Sequence, residues 1–524
     1  MDYLIHHMLR TSARRYPGKE ALVHAERQLS YGEVNNLCSS AAAGLRAAGL
    51  CRGDRVGIYL DPSIDQVLSI FSISQAGGVY VPINTVLFPQ QVAHIVRDCS
   101  MKALITTADK LTSLLPVLQD TEALKFIVVT GEVNGFGCEA EGRTLHRFED
   151  MLRTVAPSSW KDWGISKDLA AILYTSGSTG KPKGVMLSHA NIMAGSTIVS
   201  TYLEITERER ILAVLPFSFD AGMNQLMTAF QQGATTVLIK FVFARDIFSA
   251  LVSARITALA GVPTVWSLLA NGGLAKHRFP DLRYITNTGG AMPQEVLKVL
   301  REALPTTKIF LMYGLTEAFR STYLPPEQLD RRPTSMGRAI PDNEILVLNE
   351  QGRPCAPGEV GELVHRGSTV SMGYWGNREA TDRVLKPNPL LPPELGDCER
   401  VCYSGDLVKM DEDGFLYYVG RRDTMIKSSG YRISPTEVEE VLFETGKLRQ
   451  AAVIGVPDEV LGQCIKAFVV PKDGEDVGSE ALLVHCAEKM PRHMVPKYLE
   501  LMAELPKTSS GKVDYPALRR REGL

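Results

Sequence analysis

Between Arg55 and Cys99 short apolar runs alternate with longer segments of helical spacing, and this alternation constrains the fold more than any single residue. "RVGIYL" (55–60) reads as a strand, "SIDQVLSIFSISQAG" as a helix closed by glycine, "VYVPIN" as a strand and "FPQQVAHIVRDC" as a helix. Such units imply an α/β fold with largely parallel sheets. At 524 residues the chain exceeds one ordinary core, and a prior of roughly 150 residues per domain predicts about three or four structural units.

The stretch "ILYTSGSTGKPKGVMLSH" (172–189) concentrates glycine, hydroxyl and lysine side chains between Thr175 and Gly184. That is the chemistry of a phosphate-binding loop, but Pro182 follows Gly180-Lys181 where a Walker-type loop needs the hydroxyl that holds magnesium. "AAILYTSG" is expected to be a strand entering the loop, and "SHANIMAGSTIVSTYL" a helix leaving it with Ser188 as N-cap. A strand–loop–helix arrangement would bring a helix N-terminus to the anion. The blander reading of the loop, taken alone, is a flexible surface loop.

Composition narrows the partners. Hydrophobic residues make up 45% and charged residues 22%, with a net charge of -2, which gives no reason to expect nucleic acid or an anionic membrane as partner. No apolar run approaches the length of a membrane span, and the first twenty residues place Leu4, Ile5, Met8 and Leu9 at helical spacing instead of forming a signal-peptide core. Nine scattered cysteines suit a reducing, cytoplasmic setting. Cys398 and Cys402 stand close together without a second ligand pair and read as ordinary thiols. The composition changes near Phe415, and the last hundred or so residues carry their own strands ("AAVIGV", "CIKAFVV") and helices, with a linker near Arg422 and Asp423.

Four further motifs accompany the loop: "MYGLTEAF" (312–319), "YSGDLV" (403–408), "GRRDTMIKSSGYRISPTEVE" (420–439) and "PKTSSGKVD" (506–514). In this order and spacing the whole chain resembles the adenylate-forming superfamily of acyl-CoA synthetases, peptide-synthetase adenylation domains and luciferases. The resemblance implies a large N-terminal multi-subdomain α/β domain (1–422) and a small mobile α+β C-terminal domain (423–524). It implies ATP and Mg²⁺ as cofactors, a carboxylic or amino acid as substrate, and the thiol of CoA or of an acyl carrier protein's phosphopantetheine as acceptor.

Site roles follow the same resemblance. Thr175, Ser176, Gly177, Ser178, Thr179, Gly180 and Lys183 would hold the β- and γ-phosphates. Tyr313, preceding Gly314, would stack on adenine, Thr316 would bond the α-phosphate and Glu317 would hold Mg²⁺. Gly289, Gly290 and Ala291 would line the adenine and acyl pockets, Asp406 would accept from both ribose hydroxyls with Arg421 assisting, and Lys512 would be the mobile catalytic lysine. Asp423 would be the hinge, and the loop around Gly430 would approach the pantetheine thiol.

The acyl pocket is expected from Phe219, Asp220, Asn224, Trp266, Thr286, Thr288, Met312 and Arg320. Asp220 stands where amino-acid-activating relatives hold a substrate ammonium, but Arg320 could neutralise it, and both alternatives remain open. "YITNTGGAMP", "SFDAGMNQL" and "GLTEAFRSTYL" resemble especially the AMP-forming acyl-CoA ligases associated with exosortase gene clusters. A free-standing amino-acid adenylating enzyme that loads a carrier protein is the neighbouring alternative, and a luciferase-like oxygenase and a non-catalytic nucleotide binder are the remaining readings.

Overall fold

The computed structural model describes residues 1–524 except 133–138, 141, 158, 160, 176–181, 423, 429–430, 459–460, 476 and 509–510, and every count below refers to the described residues. The larger N-terminal sheet has nine strands. Six run parallel side by side: Glu20–His24, Thr235–Leu238, Arg210–Ala213, Ala258–Gly261, Tyr284–Asn287 and Lys308–Leu315. Antiparallel Ala318–Leu324 and Arg338–Ala339 extend it at one edge. The second sheet has eight strands around a parallel centre of Val79–Pro82, Arg55–Tyr59, Ala103–Thr107 and Phe126–Thr130.

Helices Tyr31–Ala47, Ile64–Ala76 and Asp220–Gln232 contribute to one shared core with strands of both sheets. Ile64–Ala76 is buried on every face except at Asp65, as a helix between two sheets must be. Ser63 caps its start by accepting from the Gln66 N–H, and Gly77 ends it at φ 86°, a left-handed conformation that glycine adopts without steric cost.

One expectation needs correction. The segment after the phosphate loop is a strand, Lys183–Ser188, antiparallel to Leu169–Thr175, and the helix His189–Tyr202 begins only at its far end. The loop therefore joins two strands of a hairpin, and the helix N-terminus, closed by a Ser188–Asn191 capping box, is separated from the loop by the whole strand Lys183–Ser188. The outer side of Lys183–Ser188 is covered by residues 372–375, with Met186 N–H donating to the Gly373 carbonyl at 2.8 Å and Trp375 N–H to Gly184 at 2.8 Å. This removes an exposed sheet edge.

A third, antiparallel sheet contains Val360–Gly367, Arg400–Met410 and Leu416–Arg421. The smaller C-terminal domain is α+β: Gly462–Pro471 pairs with Leu448–Asp458, Ile426–Ser428 and parallel Tyr498–Leu501. Helices Pro435–Phe443 and Ser479–Lys489 share one core with this sheet, and Leu518 of the last helix, Tyr515–Arg521, joins a second. Among the described residues, no helix is long and apolar enough to cross a membrane. Among the described residues, His6, His7 and Asp162 form the one cluster of possible metal ligands.

Candidate active site

The candidate residues gather where parallel strands end, the usual place for ligands in α/β sheets. Tyr284–Asn287 runs into the turn Thr288-Gly289-Gly290-Ala291, held by Asn287 Nδ2 donating to the Gly290 carbonyl at 2.9 Å. Gly289 has φ 78°, and a methyl added there would lie 3.9 Å from Cε of Lys512. The C-terminal domain therefore brings Lys512 onto this turn. Lys512 sits on a tight hairpin in which its carbonyl accepts from the Thr508 N–H at 2.7 Å and Lys507 bridges Val513. Its ammonium makes no ion pair among the described residues.

Lys308–Leu315 and Ala318–Leu324 form a hairpin with Thr316 and Glu317 at its tip. The ladder slips at Gly314, where a β-bulge lets the backbone pass Arg320: a Cβ on Gly314 would meet the Arg320 Cα at 3.1 Å. Glu317 Oε1 accepts from the Tyr374 hydroxyl at 2.5 Å, and Lys183 Nζ stands 5.5 Å from the centre of the Tyr374 ring. Burial, followed by the charge of Glu317, raises the Tyr374 phenol above its ordinary pKa, so it remains a donor. Thr175 pairs with Lys183 across the base of the loop. Ser176, Gly177, Ser178, Thr179 and Gly180 lie outside the described residues, as do Asp423 and Gly430.

Asp406 lies on Arg400–Met410 opposite Arg421 and is 6% exposed. Its Oδ2 accepts from the Tyr313 hydroxyl and its Oδ1 from Arg421 Nη1 at 3.2 Å. Burial, then Asp406, raises the Tyr313 phenol well above its usual range. One neighbour of Tyr313 is the buried ring of His365, nearly parallel at 6.1 Å; burial pushes this imidazole down to about 3.

The acyl-pocket candidates divide. Asn224, Thr286, Met312 and Arg320 line one narrow cavity together with Gln225. Thr288 touches it through Arg320, whose Nη1 donates to Thr288 Oγ1 at 3.3 Å. Trp266 is buried in the core against Gly261, where an added Cβ would meet its indole at 2.7 Å, and it is not part of that lining. Phe219 caps and Asp220 begins the helix Asp220–Gln232, and neither lines the cavity. Arg320 instead reaches the neighbouring Ala221 carbonyl through Nη2 at 3.5 Å, so the considered Asp220–Arg320 ion pair does not form. Sequence reasoning missed Tyr374, His365 and Gln225. Glycines at 373 and 376 marked a turn around Tyr374, but no local signal places its hydroxyl on Glu317.

The AMP-binding enzyme model matches residues 9–375, and the AMP-binding enzyme C-terminal domain model matches residues 437–512. The chain belongs to the AMP-binding enzyme family. It is an AMP-forming ligase. A feruloyl-CoA synthase of Amycolatopsis sp is 31% identical over 520 residues, covering 98% of this chain and 97% of that one. A long-chain-fatty-acid–CoA ligase of Bacillus subtilis (strain 168) is 28% identical, covering 98% and 93%. The solved anthranilate CoA ligase AuaEII in complex with anthranoyl-AMP superposes with a TM-score of 0.88 at 27% identity, over 99% of this chain and 97% of that one. Membership in this family carries acid adenylation and thioester formation in general.

Proposed function

We propose that the chain joins ATP to a carboxylic acid to give an acyl-adenylate and pyrophosphate, and then passes the acyl group to the thiol of CoA. The observation that carries this reading is the approach of Lys512 to the Gly289 turn. In the first step a carboxylate oxygen bonds to the α-phosphorus as the bond to pyrophosphate breaks. Negative charge moves onto the bridging and non-bridging oxygens, where the Lys512 ammonium and the Thr316 hydroxyl would meet it. In the second step the thiol loses its proton and attacks the acyl carbonyl, and AMP leaves. Positioning carries most of this chemistry, because no covalent enzyme intermediate is required.

Glu317 suits Mg²⁺: Tyr374 takes Oε1, which leaves Oε2 as one hard oxygen. Mg²⁺ characteristically takes one or two carboxylates and completes its shell with phosphate oxygens and water, and it would neutralise triphosphate charge there. Lys183 would meet the same phosphates. The Asp406–Arg421–Tyr313 group offers the ribose a carboxylate already oriented by two donors. The domain boundary is assigned at 422/423, with Asp423 as the hinge. Arg422 is anchored on the N-terminal side, where Nη1 meets Glu362 Oε2 at 2.8 Å.

The test is product analysis: ATP, Mg²⁺, CoA and a panel of carboxylic acids are mixed with the enzyme, and AMP, pyrophosphate and thioester are quantified. The reading requires acid-dependent AMP and thioester in equal amounts. Thioester formed only with a carrier protein would move the acceptor to protein-bound phosphopantetheine, and ADP in place of AMP would refute the chemistry.

A further inference from the structure

Arg320 is 5% exposed, and no carboxylate pairs with it among the described residues. Its two hydrogen bonds are long, 3.3 Å to Thr288 Oγ1 and 3.5 Å to the Ala221 carbonyl, and its Nε has no partner. A buried cation without a counter-charge is among the most unfavourable arrangements a core can hold. The backbone adds to the cost: Arg320 has φ 81° inside a strand, a left-handed conformation that persists in residues other than glycine only where the surroundings impose it. Those surroundings are the Gly314 bulge and Thr369, whose hydroxyl donates to the Arg320 carbonyl at 3.2 Å. The guanidinium lines the narrow cavity, where Asn224 Nδ2 is also an unused donor and Gln225 Oε1 an unused acceptor.

We infer that Arg320 determines specificity by binding a second negatively charged group on the acid that is activated, so the substrate is a short dicarboxylate. This rests on the acid-activating reading above. Arg320 touches Thr288, the residue before Gly289, where Lys512 stands, so both cations meet neighbouring residues of one turn, which favours a short acid over a long one. A planar guanidinium can grip a carboxylate with two parallel N–H donors. An amino acid fits poorly, because its ammonium would enter a cavity that already holds an unpaired cation.

The experiment is ATP–pyrophosphate exchange by the full-length enzyme with succinate, glutarate and phthalate. Each is compared with its monomethyl ester and with the plain acid of equal length; alanine and long-chain acids complete the panel. At least one dicarboxylate is expected to exceed its monoester by about a hundredfold in kcat/KM, because the ester leaves the cation unpaired. Arg320→Met should abolish the preference for a dicarboxylate over its monoester, mainly through KM, and Arg320→Lys should retain part of it. Equal exchange with esters and dicarboxylates in the native enzyme would overturn the inference without need of a variant. So would an Arg320→Met enzyme that loses all acids alike, since the guanidinium would then serve the reacting carboxylate. Exchange with long-chain or amino acids alone would refute the dicarboxylate but leave acid activation standing; exchange with no acid would remove both.

Discussion

Asp162 and Arg320 are both charged groups held largely out of water, and they are finished in opposite ways. Each oxygen of Asp162 accepts from two donors: Oδ1 from His6 Nε2 at 3.0 Å and Arg10 Nη2 at 3.0 Å, Oδ2 from His7 Nε2 at 2.9 Å and Arg10 Nη1 at 2.9 Å. Behind them, His6 Nδ1 meets Ser74 Oγ at 3.1 Å and His7 Nδ1 accepts from the Tyr3 N–H. Two histidines and a carboxylate could in principle ligate a metal, but the Arg10 fork already fills that place, and the cluster reads as a saturated tie between the first helix and the segment before Leu169. Arg320 has long bonds, an idle Nε and a strained backbone. A saturated polar cluster holds structure together; an unsaturated one inside a cavity waits for a ligand.

The contrast makes stability predictions of different sizes. Asp162→Asn removes the charge that His6, His7 and Arg10 share, and should cost about 2–3 kcal/mol in denaturant unfolding, discounted for partial exposure. A change below about 0.5 kcal/mol would mean that the cluster is ornamental.

Acidity should strain the same tie from the histidine side. Burial pushes His6 down to about 4 from an ordinary 6.5. Its stabilising share is present above pH 6.5 and is lost as pH falls towards 4, because the unfolded chain binds the proton first. The C-terminal domain should respond in the opposite sense. Burial raises Glu439 to about 7 from 4.5, with Tyr515 donating to it at 2.7 Å and the Val453 N–H at 2.8 Å. Below 4.5 both states are protonated. Between 4.5 and 7 the unfolded chain releases its proton while the native carboxyl keeps it, so stability falls as pH rises through that window. Glu439→Gln should flatten this slope, worth about 1–2 kcal/mol, as read by pH-dependent hydrogen exchange within that domain.

Arg320→Met should show the smallest effect on folding. Replacing an unpaired buried cation by an apolar chain of similar volume is often neutral or stabilising, so a change within about 1 kcal/mol, in either direction, is expected. A loss as large as that for Asp162→Asn would erase the distinction between the two sites.

Much of this arrangement was legible in the sequence. The glycine-closed helix after Ser63 and the strands around it follow from spacing and capping residues. Thr316, Glu317, Asp406 and Lys512 could be proposed from the sequence because their motifs are local and ordered along the chain. The strand Lys183–Ser188 was not, because it runs straight into the Ser188 cap without a turn residue to separate strand from helix. The pairing of Tyr374 with Glu317 joins positions 57 apart, and that of Tyr313 with Asp406 joins positions 93 apart, so neither leaves a local pattern. Arg320 was recognised as a pocket residue, yet its left-handed backbone was unreadable, since arginine carries no signal for φ above zero. Trp266 was misplaced because a large aromatic near the pocket motif is equally at home in the core beneath it.

The central claim is that Lys512, standing over Gly289, serves adenylate formation. The direct measurement is single-turnover kinetics of the two half-reactions in Lys512→Ala, once from ATP and acid and once from a supplied acyl-adenylate and CoA. The account predicts a loss of about a hundredfold, roughly 3 kcal/mol, in the first and little change in the second. Equal losses in both half-reactions, or none in the first, would contradict it.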